Sequence, residues 1–174
     1  MWGYLQMKGI YLILGSNLGD KFLSVQKATT IIRKRLGTVD AESSIYETEP
    51  WGYSKQPNFL NKVIRLDTHF PPEELLKQLK SIEAELGRTP KERWRERLID
   101  IDILYYSDKV VNAENLVIPH PEIPNRKFVL VPMNELAPDE VHPVNGKTQR
   151  QMLEECKDSL IVEKLGRKIV NRLN

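Results

Sequence analysis

The sequence predicts an α+β domain, and three observations carry that reading. Short apolar runs rich in β-branched residues recur at residues 9–14, 59–67 and 98–106, the pattern of buried strands. Between them lie two amphipathic stretches, at residues 21–36 and 72–86, each opened by a capping or proline-acid signal and closed by glycine. The chain's 174 residues, 40% hydrophobic and 29% charged, suffice for one domain with its own core.

Each element has a local reason. Residues 9–14 (GIYLIL) form an apolar strand that Gly15-Ser16-Asn17 closes as a turn. Asp20 caps a helix over residues 21–36, in which Phe22, Val25, Ala28, Ile32 and Leu36 fall at helical spacing and Gly37 is the stop. Residues 39–47 read as a second strand, and residues 48–57 as loop by their proline and glycine content. Residues 59–67 resume a strand, with Phe59, Asn61 and Val63 on one face and Leu60, Ile64 and Leu66 on the other. Pro71-Pro72-Glu73-Glu74 opens a second helix with proline and acid in its first turn; Leu75, Leu76, Leu79, Ile82 and Leu86 line it, and Gly87 stops it. A basic loop, residues 88–97, leads into the strand at 98–106, and Ser107-Asp108 turns the backbone into residues 109–111.

The resulting order, βαββαβ, is the ferredoxin-like split βαβ, with helices on one face of an antiparallel sheet. Beyond it, residues 119–125 read as proline-rich loop and residues 128–136 and 149–156 as short helices. Residues 160–173 form an amphipathic segment whose type the pattern leaves open. All 174 residues are assigned to one domain, with 1–6 as a preamble outside the core and 160–174 as a C-terminal extension.

Composition excludes several classes. Twenty-six Lys and Arg against 24 Asp and Glu leave a net charge of +2, too little for bulk electrostatic binding of nucleic acid. One cysteine, Cys156, excludes an intrachain disulfide and a cysteine-built zinc site, and it suits a reducing cytoplasm. No targeting segment or membrane span is read, and a monomer acting on small molecules is expected. There is no GxxxxGK[ST] loop, GxGxxG turn or nucleophile elbow, and the three histidines show no metal spacing.

The chemistry concentrates in Leu98-Ile99-Asp100-Ile101-Asp102-Ile103-Leu104. With period two, Asp100 and Asp102 share one strand face, their Cα atoms about 7 Å apart. On so apolar a strand, two uncompensated carboxylates would be costly or protonated, so metal or arginine must face them. Oxygen ligands favour Mg²⁺ over zinc; the bland alternative is an exposed edge pair or a salt bridge to nearby arginines. The loop before that strand, Arg88 to Arg97, carries a charge of +3, and arginine forks bind phosphate bidentately. Trp94 within it suits a ligand cap. Phe59 and Asn61, with Phe128, pair aromatic plates with an amide that donates and accepts, a fit for a flat heteroaromatic ligand, although taken alone they read as core phenylalanines and a turn-capping asparagine. His120 stands shortly before Arg126 and is a candidate against phosphate, whereas His69 and His142 read as structural.

Seven segments in order resemble the 6-hydroxymethyl-7,8-dihydropterin pyrophosphokinase family. They are Leu14-Gly15-Ser16-Asn17-Leu18-Gly19; Tyr46-Glu47-Thr48-Glu49-Pro50-Trp51-Gly52; Gln56-Pro57-Asn58-Phe59-Leu60-Asn61; Ile82-Glu83 with Gly87-Arg88; Arg97 through Asp100-Ile101-Asp102-Ile103-Leu104; Val117-Ile118-Pro119-His120-Pro121; and Asn125-Arg126-Lys127-Phe128. The resemblance implies transfer of diphosphate from ATP to the pterin hydroxymethyl group, with release of AMP, in folate biosynthesis. It implies two Mg²⁺ ions on Asp100 and Asp102. Arg88 and Arg97 are implied to engage the triphosphate, Trp94 to seal it, and Ile103, His120 and Arg126 to contact ATP. Asn61 would read the pterin edge between Phe59 and Phe128, with Thr48, Glu49, Pro50 and Trp51 completing the pocket. Trp51 replaces a smaller apolar residue, and Trp94-Arg95-Glu96-Arg97 departs from the usual Trp-Gly-Pro-Arg, so the turn of that loop is not carried over. Two rivals remain: an RNA-binding sheet, which the aspartate pair disfavours, and a Mg²⁺-dependent phosphohydrolase.

Overall fold

The computed structural model describes residues 5–52, 54–88 and 96–166. In sequence order its elements are β1 (Leu5–Gln6), β2 (Ile10–Ser16), α1 (Lys21–Arg35), β3 (Thr38–Glu42), β4 (Tyr46–Thr48), β5 (Phe59–Asp67), α2 (Pro72–Glu85), β6 (Asp100–Tyr106), β7 (Val111–Ala113) and β8 (Leu116–Ile118). A 3-10 turn (Ile123–Asn125), α3 (Lys127–Leu136), β9 (Glu140–Val141), α4 (Gln149–Glu155) and β10 (Val162–Lys164) follow.

All seven residues of β2 are buried. An antiparallel strand reaches that state at the centre of a sheet covered on both faces. Accordingly, β2 lies between β5 and β6, antiparallel to both, in the order β10-β4-β5-β2-β6, with β3 also pairing β5. On one face Ile10, Leu12 and Leu14 join Ile64, Leu66, Ile101 and Ile103 against Val25, Ala28 and Ile32 of α1 and Leu75, Leu79 and Ile82 of α2. This is the expected ferredoxin-like core with its two helices on one side.

The residues that follow this core add a second helical layer, which the one-face expectation lacked. Tyr11, Ile13, Val63, Leu104 and Tyr105 pack on Val129, Leu130 and Met133 of α3 and Met152 of α4. This layer covers the Tyr11–Ile13 end of the face. Around Gly15 the same face opens into a cleft.

Local signals explain the element ends. Asp20 Oδ1 accepts the Leu23 N–H at 2.9 Å and caps α1. Gly87, at φ +92°, ends α2, and the Arg88 N–H returns to the Glu83 carbonyl at 3.0 Å. That turn brings Arg88 back over Glu83.

Several boundaries differ from expectation. The strand expected over 39–47 is two strands, β3 and β4, broken at 43–45, where the Ser43 N–H and Oγ bond the Val63 backbone. Gly15 stays in β2 because both neighbouring strands pair with it, and Ser16 because it pairs with Leu60 of β5. A hairpin, β7–β8, follows the turn at 107–108 and takes in residues 112–118, for which the sequence pattern offers no element. Leu5–Gln6, expected outside the core, pairs in parallel with β9, and Met7 is 2% exposed. The open segment near the C-terminus supplies β10 on the outer edge of β4. Residues 1–4 and 167–174 lie outside the described residues.

Candidate active site

The register of β2 fixes the site. Gly15 pairs with Asn61 of β5 on one side and with Asp100 of β6 on the other. Adjacent strands lie about 4.8 Å apart, which puts Asn61 and Asp100 about 10 Å apart across a residue with no side chain. A Cβ on Gly15 would stand 2.7 Å from Asn61 Oδ1. Glycine is required here by the close approach of that amide.

On the β6 side, the Asp pair projects from the cleft face while Ile99, Ile101 and Ile103 pack on the helices. The two carboxylates fare differently. Asp100 accepts from Arg88 Nη1 at 2.7 Å and from Arg97 Nη1. Burial opposes its ionisation, yet Arg97 and Arg88 outweigh burial and hold its carboxyl below the usual range. Among the described residues none donates a hydrogen bond to the Asp102 carboxylate; burial, then the neighbouring Asp100, push it up to about 7.

Behind them sits Glu83, 2% exposed, whose Oε1 accepts the Ile101 N–H at 2.7 Å and whose carboxylate pairs with Lys80 and Arg88. It ties α2 to β6 and anchors Arg88. Asn17, 1% exposed, does the same for Arg97: its Oδ1 accepts the Arg97 N–H at 2.8 Å, and its own N–H donates to the Arg97 carbonyl at 3.1 Å. Its Nδ2 donates to Gln56 Oε1 and the Pro57 carbonyl at 3.0 and 3.1 Å, so one amide joins the arginine to the loop before β5.

On the β5 side, Asn61 Nδ2 donates to Thr48 Oγ1 at 2.7 Å, with both residues buried. Phe59 and Phe128 line the cleft beside them. The Arg126 guanidinium lies over the Trp51 ring at 4.7 Å and the Phe128 ring at 5.8 Å, within cation–π range. The His120 N–H holds the Leu104 carbonyl at 2.9 Å, and its Nδ1 accepts the Glu122 N–H at 3.2 Å. Burial, then Arg126, lower its pKa, so at neutral pH it is an uncharged ring with its proton on Nε2.

The cleft thus brings together Thr48, Glu49, Trp51, Phe59, Asn61, Arg97, Asp100, Asp102, His120, Arg126 and Phe128. Arg88 stands behind Asp100, and Pro50 lies beside the cleft without lining it. The Ile103 side chain does not line the cleft: it is 4% exposed in the helix-side core, because period two turns it away from Asp102. Trp94 falls outside the described residues, as do Lys91, Arg93 and Arg95. Sequence reasoning missed Gly15, Asn17, Gln56 and Glu83. A carboxylate beside the apolar stripe of α2 was a readable signal for Glu83; Asn17, in a short glycine-bearing turn, offered none.

Carboxylates faced by arginines share a cleft with an aromatic and amide recess, the chemistry of a transferase site that suits a polyanion beside a flat ring. The particular family follows from three matches. The family model described as 7,8-dihydro-6-hydroxymethylpterin-pyrophosphokinase (HPPK) matches residues 11–138. The chain is 39% identical over 145 residues to the 2-amino-4-hydroxy-6-hydroxymethyldihydropteridine pyrophosphokinase of Aquifex aeolicus, covering 83% of this chain and 90% of that one. It is 45% identical over 148 residues to the protein of the same name from Methylorubrum extorquens, covering 84% and 92%. The chain belongs to this family, and is a pyrophosphokinase of folate biosynthesis. A Plasmodium falciparum HPPK-DHPS crystal structure with pteroate shares the fold at a TM-score of 0.70 and 17% identity, over 84% of this chain. This chain spans 42% of that one.

Proposed function

We propose that this chain transfers diphosphate from ATP to the hydroxymethyl group of 6-hydroxymethyl-7,8-dihydropterin, giving the pterin diphosphate and AMP, in the cleft over β2, β5 and β6. The observation that carries the reading is the row Asn61–Gly15–Asp100. It sets a heterocycle-reading amide about 10 Å from a carboxylate pair across one open strand, so a flat ring read at Asn61 can present its hydroxymethyl group to phosphates at the carboxylates.

Two Mg²⁺ ions are part of the reading. The residues fit that group: Asp102, a buried carboxylate raised to about 7 beside Asp100, is a hard oxygen donor whose ionised form a divalent cation would favour. Asp100 and Asp102 would hold the ions, and substrate phosphate oxygens and water would supply the remaining ligands, as Mg²⁺ favours. When bound, the ions supply charge neutralisation on the phosphates and a lowered pKa for the attacking hydroxyl.

The protein groups position and stabilise. Asn61, held by Thr48, reads the pterin edge, and Phe59 and Phe128 clasp the ring. Arg97 and Arg88 transfer from Asp100 to phosphate oxygens and take up charge that develops there. His120 donates from Nε2, and Arg126 exchanges its aromatic contacts for phosphate. The Ile101 N–H points off the edge of β6 toward Glu83, and by period two the backbone of Ile103 faces the same edge, so Ile103 meets the nucleotide through its backbone. No side-chain base is required, because in-line positioning and charge neutralisation carry phosphoryl transfer. The reading also includes a monomer in the cytoplasm, supported by the free Cys156; among the described residues no helix is long and apolar enough to cross a membrane.

The test separates AMP from ADP after incubation with ATP, Mg²⁺ and the hydroxymethylpterin. AMP formed only with pterin present is the expected result. ADP or phosphate released without pterin would assign the cleft to hydrolysis instead.

A further inference from the structure

The strand β10 and the residues before it do not line the cleft, yet they bond to both walls of its aromatic recess. The first wall is the start of α3. This helix carries Phe128 in its first turn, and its own N-cap residue, Arg126, makes no side-chain capping bond. The first N–H groups of any helix lack intrahelical partners. Here Asp158 supplies one from thirty-one residues away: its Oδ2 accepts the Lys127 N–H at 2.9 Å, while Oδ1 accepts the Leu160 N–H at 3.0 Å. A carboxylate at that end also suits the helix dipole.

The second wall is the end of β4 and the loop after it. The Ile161 N–H donates to Glu49 Oε2 at 2.9 Å, and the Glu49 N–H donates to the Ile161 carbonyl at 3.2 Å. Val162 then pairs with Thr48, the residue that holds Asn61. The Leu165 N–H closes the run on the Ile45 carbonyl at 2.8 Å.

We propose that residues 158–164 are a strap that sets the width of the ring-binding recess, with Asp158 and Ile161 as positioning residues acting through Phe128 and Glu49. The inference rests on the reading of that recess as the pterin site. Its consequence is selective. Loosening the strap lets Phe128 and the Thr48–Glu49 segment drift apart, which weakens ring stacking, and leaves the β6 carboxylates with Arg88 and Arg97 as they are.

The experiment measures hydroxymethylpterin affinity by fluorescence, with Mg²⁺ and α,β-methylene-ATP present, alongside the affinity for that nucleotide alone, in the full-length protein. Asp158→Ala is expected to weaken pterin about tenfold, the scale of a lost cap transmitted to one contact, with nucleotide affinity within about twofold. Asp158→Asn, which keeps a capping oxygen, recovers most of the loss. In a Phe128→Ala background Asp158→Ala adds little, because its route of action is gone. Equal losses for pterin and nucleotide, unchanged pterin affinity, or full additivity with Phe128→Ala each overturn the strap. Asn61→Ala separates the two levels: if it leaves pterin affinity intact, the recess is not the pterin site and the strap falls with that reading.

Discussion

The two halves of the cleft stand in different states of readiness. The recess on β5 is finished: Asn61 is bonded to Thr48, Gly15 leaves room for its amide, and Thr48 is pinned from outside by β10. The carboxylate half on β6 is provisional. Arg88 and Arg97 are spent on Asp100, while Asp102 has no donor among the described residues and a pKa pushed up to about 7. A rigid ring of fixed shape can be met by a preformed recess, which saves ordering on binding. A flexible polyanion arriving with cations cannot, so charges that will meet it are parked on each other. Of the two readings of the aspartate pair, the arginine one describes Asp100, which accepts from Arg88 and Arg97, and the metal one is left to test at Asp102.

The sharpest way to break this contrast is at Asp102. Asp102→Asn removes the cation ligand with little change in shape, and turnover is expected to fall by at least about 10³-fold. The melting temperature of the metal-free protein should hold or rise, since a strained carboxylate is gone. A variant that melts lower and keeps its turnover would make Asp102 structural. Arg97→Ala comes next, with kcat expected to drop about 10²- to 10³-fold while ground-state nucleotide affinity changes far less; single-turnover rates against nucleotide titration read the split. Equal losses in both would place Arg97 in binding alone. On the finished side, Gly15→Ala drives a Cβ against Asn61 Oδ1 and is expected to weaken pterin about tenfold. Nucleotide affinity in the same variant should stay near its original value, because the clash faces β5 rather than β6.

How much of this was legible depends on what each feature needs. Strict alternation needs only neighbours, so β5 and β6 and the shared face of Asp100 and Asp102 could be read directly. The same alternation should have excluded the Ile103 side chain from the cleft. Register needs a partner strand, and nothing in Gly15 alone announces that Asn61 and Asp100 flank it. The second helical layer was hidden for a related reason: α3 and α4 are amphipathic, but amphipathicity does not say which sheet face they cover. The lack of polar alternation from Ile10 to Leu14 was the available sign that both faces are covered, and β2 is indeed buried throughout. The Asp158 carboxylate accepts a backbone N–H 31 residues away, and Ile161 donates to Glu49 across 112 residues, which no local pattern encodes.

The smallest expected effect tests whether the finished half is held by ordinary charge. Glu135, on α3, accepts the Ser44 N–H and Oγ at 3.0 and 2.8 Å and the Tyr46 hydroxyl at 2.7 Å, with Lys164 of β10 at 3.6 Å. Tyr46 pairs in register with Asn61, so this carboxylate joins α3, β4 and β10 around the recess. Burial raises its pKa, but the Tyr46 and Ser44 bonds outweigh burial and hold it below the usual glutamate range. A carboxyl lowered on folding contributes stability above its unfolded pKa and loses it as pH falls through the folded one. The melting temperature should therefore decline below about pH 4.5, the unfolded glutamate value. Glu135→Gln should flatten part of that decline and lower the melting temperature by a few degrees at pH 7. Pterin affinity at pH 7 should fall no more than about threefold in this variant, since Thr48 and Asp158 still hold the recess. A larger loss would mean that the recess depends on Glu135 for its shape, and the contrast between a finished half and a provisional one would narrow to a difference in degree.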